Sequence, residues 1–156
     1  MAPNVVEQIR QIIASGTDMT IATIRDDGYP QATTVSYIGD GLDVWFGTDA
    51  KTQKARNLAR CNKVSITINL PYGDWDHIRG ISASGIAERV TDAAELARFG
   101  QLAFAKFPQI GKYVPPGETP ELAAFRIKLR VVSLLDYTKG FGHTESIDLR
   151  QLAIAA

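Results

Sequence analysis

Residues 44–68 read VWFGTDAKTQKARNLARCNKVSITI. An apolar, strand-like run ends at Gly47 and Thr48, and Asp49 is a residue type that caps helices. A helix is predicted over 50–60, and a second strand-like run begins at Val64. Lys51, Thr52 and Lys54 fall at the start of that helix. Hydroxyls, cations and free backbone N–H groups at a helix start are what a phosphate dianion requires, so the segment reads as a phosphate-binding corner. Lys51 and Lys54 are three apart and are expected on one helix face, with the Thr52 hydroxyl between them. Arg56 lies farther along and either reaches the same anion or faces solvent. The competing reading is an ordinary solvated basic helix, and spacing alone does not separate the two.

The chain has 156 residues, enough for one domain over 1–156 with a sizeable core. Its 17 basic and 17 acidic residues cancel, which argues against a dedicated nucleic-acid binder and leaves room for a local basic pocket. A single cysteine, Cys61, rules out an internal disulfide and a zinc site built on several thiolates. Near the end of the predicted helix, it suits a small packing residue better than a nucleophile. No apolar run reaches the length of a membrane span, and the N-terminus lacks a signal peptide's apolar core, so a cytoplasmic protein is expected.

Outside the corner, β patterning dominates. Asn4 and Glu7 form a capping-box pattern ahead of Val5, Val6, Ile9, Ile12 and Ile13 at helical spacing, predicting a helix that ends near Gly16. Strands are predicted over 19–25, 31–38 and 42–47, separated by turns at Asp26-Asp27-Gly28 and Gly39-Asp40-Gly41. Further strands are predicted over 64–69 and 79–90, with Gly85 marking a bulge. Asp92 and Glu95 open a helix to about Lys106, and 108–120 reads as a loop. Thr119-Pro120 is suited to start a short helix through Phe125. A strand over 126–137 places Ile127, Leu129 and Val131 on one side and Arg126, Lys128 and Arg130 on the other, and a short strand follows near 146–149. About six antiparallel strands with peripheral helices predict a mainly β fold, a small barrel that hides its strand edges by curling on itself.

Two more segments carry chemistry-bearing residues. Thr33, Thr34 and Ser36 flank Val35 on a predicted strand, where hydroxyls suit a sugar alcohol or a heteroaromatic edge and also suit plain β-propensity. The run from Asp136 to Thr144 puts Tyr137, Lys139 and His143 in a glycine-rich loop able to fold over a bound ring, with His143 a weak acid/base candidate and Lys139 a weak partner to it. His77 and His143 lack paired spacing, so no metal is expected, and no dinucleotide-binding glycine motif or P-loop occurs.

Together these residues resemble the pyridoxamine 5′-phosphate oxidase-like family of FMN-binding split barrels. The pattern runs through Met19-Thr20-Ile21-Ala22-Thr23, Asp27-Gly28-Tyr29-Pro30, the strand to Tyr37, and Trp45-Phe46-Gly47-Thr48. It is strongest at Lys51-Thr52-Gln53-Lys54-Ala55-Arg56-Asn57-Leu58, followed by Asn62-Lys63-Val64 and Gly85-Ile86-Ala87-Glu88. The resemblance implies a six-stranded antiparallel split β-barrel and a homodimer with FMN at the subunit interface. It implies that Thr52, Gln53 and Lys54 hold the FMN phosphate, with Lys51 secondary. Thr33, Thr34, Val35 and Ser36 match the strand beside the ribityl chain and flavin ring, and Gly47 and Thr48 match the neighbouring strand end. The partner subunit is expected to complete the site from the 75–79 region and the loop after Tyr137. A flavin-dependent oxidoreductase acting on a small molecule is the implied function. A reductase using the deazaflavin coenzyme F420, or a non-catalytic flavin or haem binding, storage or sensing protein, is the alternative. Two departures stand out. The chain reads Asp148-Leu149-Arg150-Gln151-Leu152 where vitamin B6 oxidases carry an Arg-x-His-type motif, and the family's flavin-contacting glutamine falls at Gly80. FMN binding is thus implied more strongly than vitamin B6 oxidation.

Overall fold

The computed structural model describes residues 2–114 and 121–155. Eight antiparallel strands form one curled sheet, a split β-barrel: β1 (Asp18–Ile24), β2 (Pro30–Ser36), β3 (Ile38–Asp40), β4 (Asp43–Asp49), β5 (Lys63–Asn69), β6 (Arg79–Arg89), β7 (Leu122–Asp136) and β8 (Thr144–Asp148). Five helices flank it: α1 (Ala2–Ser15), α2 (Gln53–Arg60), α3 (Ala93–Lys106), α4 (Ile110–Tyr113) and α5 (Leu149–Ala155). The spatial order is β2-β1-β5-β6-β7-β4-β3, with β8 also pairing β7. The path therefore starts and ends on strands that adjoin in sequence, and Tyr37 alone separates them. This break accounts for much of the difference between six strands expected and eight found. The predicted strand over 31–38 divides at Tyr37, and the segment after Asp43 pairs elsewhere.

Tyr37 is 1% exposed. Its hydroxyl donates to the Ile13 carbonyl of α1 at 2.7 Å. The Lys106 ammonium at the end of α3 lies 4.1 Å from the ring centroid and donates to the carbonyls of Gly16 and Tyr37 at 2.7 and 3.0 Å. Burial pushes the Tyr37 phenol pKa far up and the Lys106 ammonium down. Inside the barrel, Ile9, Ile12 and Ile13 of α1 plug one side, against Ile21, Val44, Phe46, Ile66, Ile68 and Ile127. A second, smaller cluster lies outside the barrel wall, where Phe99 and Ala103 of α3 cover Ile38, Trp45 and Ala124.

Strand β7 carries the fold's main irregularity. Ala83 pairs Val132 while Gly85 pairs Leu129, so Ser84 alone stands opposite Arg130 and Val131. The extra β7 residue inverts the side-chain phase. Ile127 and Leu129 are buried upstream, Val132 and Leu134 downstream, and Val131 leaves the face on which the alternation had placed it. Gly85 is required there, because a Cβ would approach the Lys128 carbonyl oxygen to 2.9 Å.

Other expectations shift locally. α1 already begins at Ala2, so Asn4 lies within the helix and not at the position ahead of it where the capping-box pattern had placed it. Gly39 and Asp40 belong to β3, and the turn falls at Gly41, which has φ +64°, and Leu42. The loop over 108–120 contains α4. The short helix expected from Thr119 starts outside the described residues, and Leu122 to Phe125 are strand, paired with β4. Asp92 caps α3 as expected, its carboxylate accepting from the Glu95 N–H at 3.0 Å. No helix among the described residues is long and apolar enough to cross a membrane.

Tyr37→Phe keeps the ring and strips the Ile13 carbonyl of its buried donor, so it should cost about 1–2 kcal/mol of stability. Urea unfolding should show a lower midpoint with an unchanged slope.

Candidate functional site

β4 ends by turning under its own last side chain. The Asp49 carboxylate accepts the Lys51 N–H at 2.8 Å, and the Ala50 N–H donates to the Glu121 carbonyl at 2.8 Å. Asp49 therefore shapes the turn, and Thr52 caps α2. The Thr52 hydroxyl accepts the Ala55 N–H at 3.2 Å and donates to the Asp49 carbonyl at 2.9 Å. Its single proton is thus committed, and the Thr48 hydroxyl, 3.2 Å away, is the donor between the two threonines. The N–H groups of Gln53 and Lys54, in the first turn of α2, have no acceptor among the described residues. Lys54 is half-buried, and burial alone depresses its ammonium pKa, with no carboxylate contributing. A desolvated cation with no counter-ion among the described residues and two open N–H donors thus belong to the first turn of one helix, at its positive end.

Lys51 and Lys54 do not share a helix face, because α2 starts only at Gln53 and Lys51 stands exposed in the preceding turn. Arg56 is not free for an anion. Its guanidinium folds back to donate to the Lys51 carbonyl at 2.6 Å and to Gln53 Oε1 at 2.8 Å. Sequence reasoning missed the group that locks this corner to the barrel. Gln53 Nε2 donates to Asn57 Oδ1 at 2.8 Å, and Asn57 Nδ2 donates to Thr23 Oγ1 at 3.0 Å and Gln31 Oε1 at 3.2 Å. Asn57 and Thr23 are almost fully buried. The available signal was an asparagine one turn after Gln53 on the face that also carries Leu58.

Strand β2 splits its four candidates between two faces. Thr33 and Val35 are half-buried, Val35 packing on the main core, while Thr34 and Ser36 are exposed. The Thr33 hydroxyl oxygen is buried with no hydrogen-bond partner among the described residues. Ser36 and Gly47 line a different space, a cavity of about 590 Å³ beneath α3 and α4. Gly47 points that way, since a Cβ there would meet Leu122 Cδ1 at 3.0 Å and Phe99 Cζ at 3.3 Å. At Gly80 a Cβ would lie 2.7 Å from both the Ile68 carbonyl oxygen and Asn69 Oδ1, so the strand crossing there requires glycine.

Lys139 and His143 lie at the other end of β7 and are not brought to the corner within one chain. Leu122 pairs Asp49 beside the corner, whereas Tyr137 follows the last residue of this 15-residue strand. The contour between is roughly 45 Å at the usual rise per residue. Both side chains engage Glu145, the His143 Nε2 at 2.9 Å and the Lys139 Nζ at 3.6 Å, and the His143 hydrogen bond holds the Glu145 carboxyl below its ordinary range. Beside them Phe141 lies against Trp75 and Tyr137, at ring-centroid distances of 6.0 and 5.4 Å. No group of three metal-ligating side chains occurs among the described residues.

No curated protein matches the chain. Among solved structures, conserved hypothetical protein Rv2991 from Mycobacterium tuberculosis is 28% identical at a TM-score of 0.74, with 89% of each chain covered. A haem binding protein from Mycobacterium smegmatis is 24% identical at a TM-score of 0.78, and the chain spans only 60% of that protein while 96% of its own length is covered. An FAD-binding protein from Mesorhizobium loti is 16% identical at a TM-score of 0.67, with 82% of this chain and 91% of that one covered. The family model described as pyridoxamine 5′-phosphate oxidase matches residues 5–135, across the barrel from α1 to the end of β7, and the chain belongs to that family.

Proposed function

We propose that the protein is an FMN-binding flavoprotein, a homodimer with FMN at the subunit interface, and an oxidoreductase acting on a small molecule. The observation that carries this reading is the corner at Thr48–Lys54, where one helix start carries a half-buried lysine with no counter-ion among the described residues, two N–H groups with no acceptor among them and a fixed pair of hydroxyls. The residues present fit the cofactor. Thr52, Gln53 and Lys54 would hold its phosphate, with Lys51 at longer range. The unpartnered Thr33 hydroxyl and the neighbouring Thr34, Val35 and Ser36 would lie along its ribityl chain and ring, with Gly47 and Thr48 at the strand end opposite. Bound FMN supplies electron and hydride transfer, and the chain supplies orientation and electrostatics.

The outer face of the sheet supports the dimer. In register across it run Thr34, Thr20, Thr67, Ser82 and Ser133, and beside them Ala32, Ala22, Ser65 and Ser84. Two rows of small, uncharged side chains make a smooth surface that a second copy can approach closely. A second copy is also the route by which Lys139, His143 and the Trp75–Phe141 aromatics would reach a cofactor that their own chain holds out of range.

A haem reading draws on the haem binding protein of similar fold and on His143 as the residue that would ligate the iron. Added haem should then give a Soret band that His143→Ala abolishes; without that band the haem reading is lost.

Purified protein should be yellow, release FMN on denaturation and sediment as a dimer. A colourless protein with no measurable FMN affinity overturns the proposal, and tighter uptake of F420 than of FMN in parallel fluorescence titrations replaces the cofactor. Lys54→Met should weaken FMN about ten- to hundredfold, the worth of a charge-assisted hydrogen bond. Lys51→Met, whose ammonium stands in solvent, should change it no more than about threefold.

The corner also sets a pH dependence. Burial lowers the Lys54 pKa, so its ammonium is lost at a lower pH than an ordinary lysine's. The phosphate binds the charged form, so FMN affinity should hold steady between the phosphate's own second pKa, about 6, and that depressed value, and fall as pH rises through the latter. In Lys54→Met this alkaline decline should vanish, which isothermal titration over a pH series will show.

A further inference from the structure

The cavity beneath α3 and α4 differs from the phosphate corner in every chemical respect. Ile38, Trp45, Phe99, Phe104, Phe107 and Ile110 form most of its wall, and Ser36 contributes the only hydroxyl among the described residues that line it. Its volume of about 590 Å³ is that of a small-molecule site. Apolar side chains also sit at its mouth, where Phe104 is 56% and Leu122 49% exposed.

Three of the charged groups around it are engaged. The Lys106 ammonium is held by the carbonyls of Gly16 and Tyr37. Arg126 donates to Glu95 at 2.7 Å and reaches Glu88 at 3.5 Å, with its guanidinium 5.2 Å from the centre of the Trp45 ring. Arg98 pairs Asp40 at 2.8 Å. These contacts fasten α3 along its polar rim, while only Phe99 and Ala103 of the helix are buried. A helix strapped at its edges in this way leaves apolar volume under its centre, and none of the straps offers a free cation to an anionic ligand.

We propose that this cavity binds an uncharged, largely apolar small molecule with no more than one or two hydrogen-bonding groups, and that it discriminates against phosphate esters. Ser36 and Gly47 line the cavity and also belong to the strand ends assigned above to the flavin. A molecule held there stands beside the cofactor as substrate. That role rests on the flavin reading; the binding does not.

The test uses full-length, flavin-free protein and the neutral fluorophore N-phenyl-1-naphthylamine. Binding should appear as a blue-shifted, enhanced emission. 1-Naphthol should displace the probe at least tenfold more effectively than 1-naphthyl phosphate. Gly100→Leu should weaken the probe at least tenfold. Gly100 lines the cavity, an added Cβ there meets nothing within 4 Å, and leucine favours the helix over glycine, so this variant should fold. Ala103→Leu, deeper on the same face, provides a second filling variant, with circular dichroism to confirm folding of both.

Absence of probe binding to the unaltered protein overturns the proposal. So does unchanged affinity in both folded variants, or displacement by naphthyl phosphate as effective as by naphthol. Loss of the dimer in Gly100→Leu, without probe binding to the parent, would assign the face to a subunit contact instead. A colourless protein that binds the probe retains the site and loses only its redox role, so failure of the flavin reading and failure of this one are distinguishable.

Discussion

The barrel depends on how its two free ends are held together at Tyr37. A curled sheet whose terminal strands do not pair has two open edges, and open edges invite slippage and pairing with other chains. Here the ends are covalently adjacent, and the residue between them is fixed from two directions. The phenol binds α1, and the Lys106 ammonium holds the ring and carbonyl from α3. The plugging helix, the seam and the outer helix therefore meet at a single buried side chain. The candidate corner after β4 and the cavity beneath α3 stand on strands that converge there, β2 from one side and β3–β4 from the other.

Much of this was legible where one face of a strand meets the core and the other meets solvent. Met19 and Ile21 in β1, and Val64, Ile66 and Ile68 in β5, alternate because the inner side alone is buried. The signal fails where a strand is covered on both sides. Ala123 and Phe125 join the main core while Ala124 joins the cluster under α3, so the start of β7 shows no alternation. Its Glu-Leu-Ala-Ala run has helical propensity that pairing with β4 overrides. The inverted phase after Arg130 is likewise set by Ser84 on the neighbouring strand, and a one-dimensional pattern does not carry that information.

The candidate corner was legible in its residue types alone: hydroxyls and cations at 48–54 fit both an anion site and an ordinary solvated basic helix. Which hydroxyl caps the helix depended on Asp49 being consumed by the Lys51 N–H. The role of Arg56 depended on a backward fold onto Gln53 and the Lys51 carbonyl, and that of Asn57 on contacts to two strands far away in sequence. The cavity left no local trace at all, since its wall is assembled from β2, β3, β4, α3, α4 and β7.

Gly80 constrains what the chain can carry at β6. At the position where the family resemblance expects a glutamine, any side chain would force its Cβ into the Ile68 carbonyl. The obstacle is backbone, which no rotamer change relieves. A glutamine substituted at Gly80 would therefore prise β5 from β6 before its amide reached any ligand. The pairing of these two strands thus fixes the residue type at this position, and chemistry at this end of β6 has to come from side chains elsewhere in the fold.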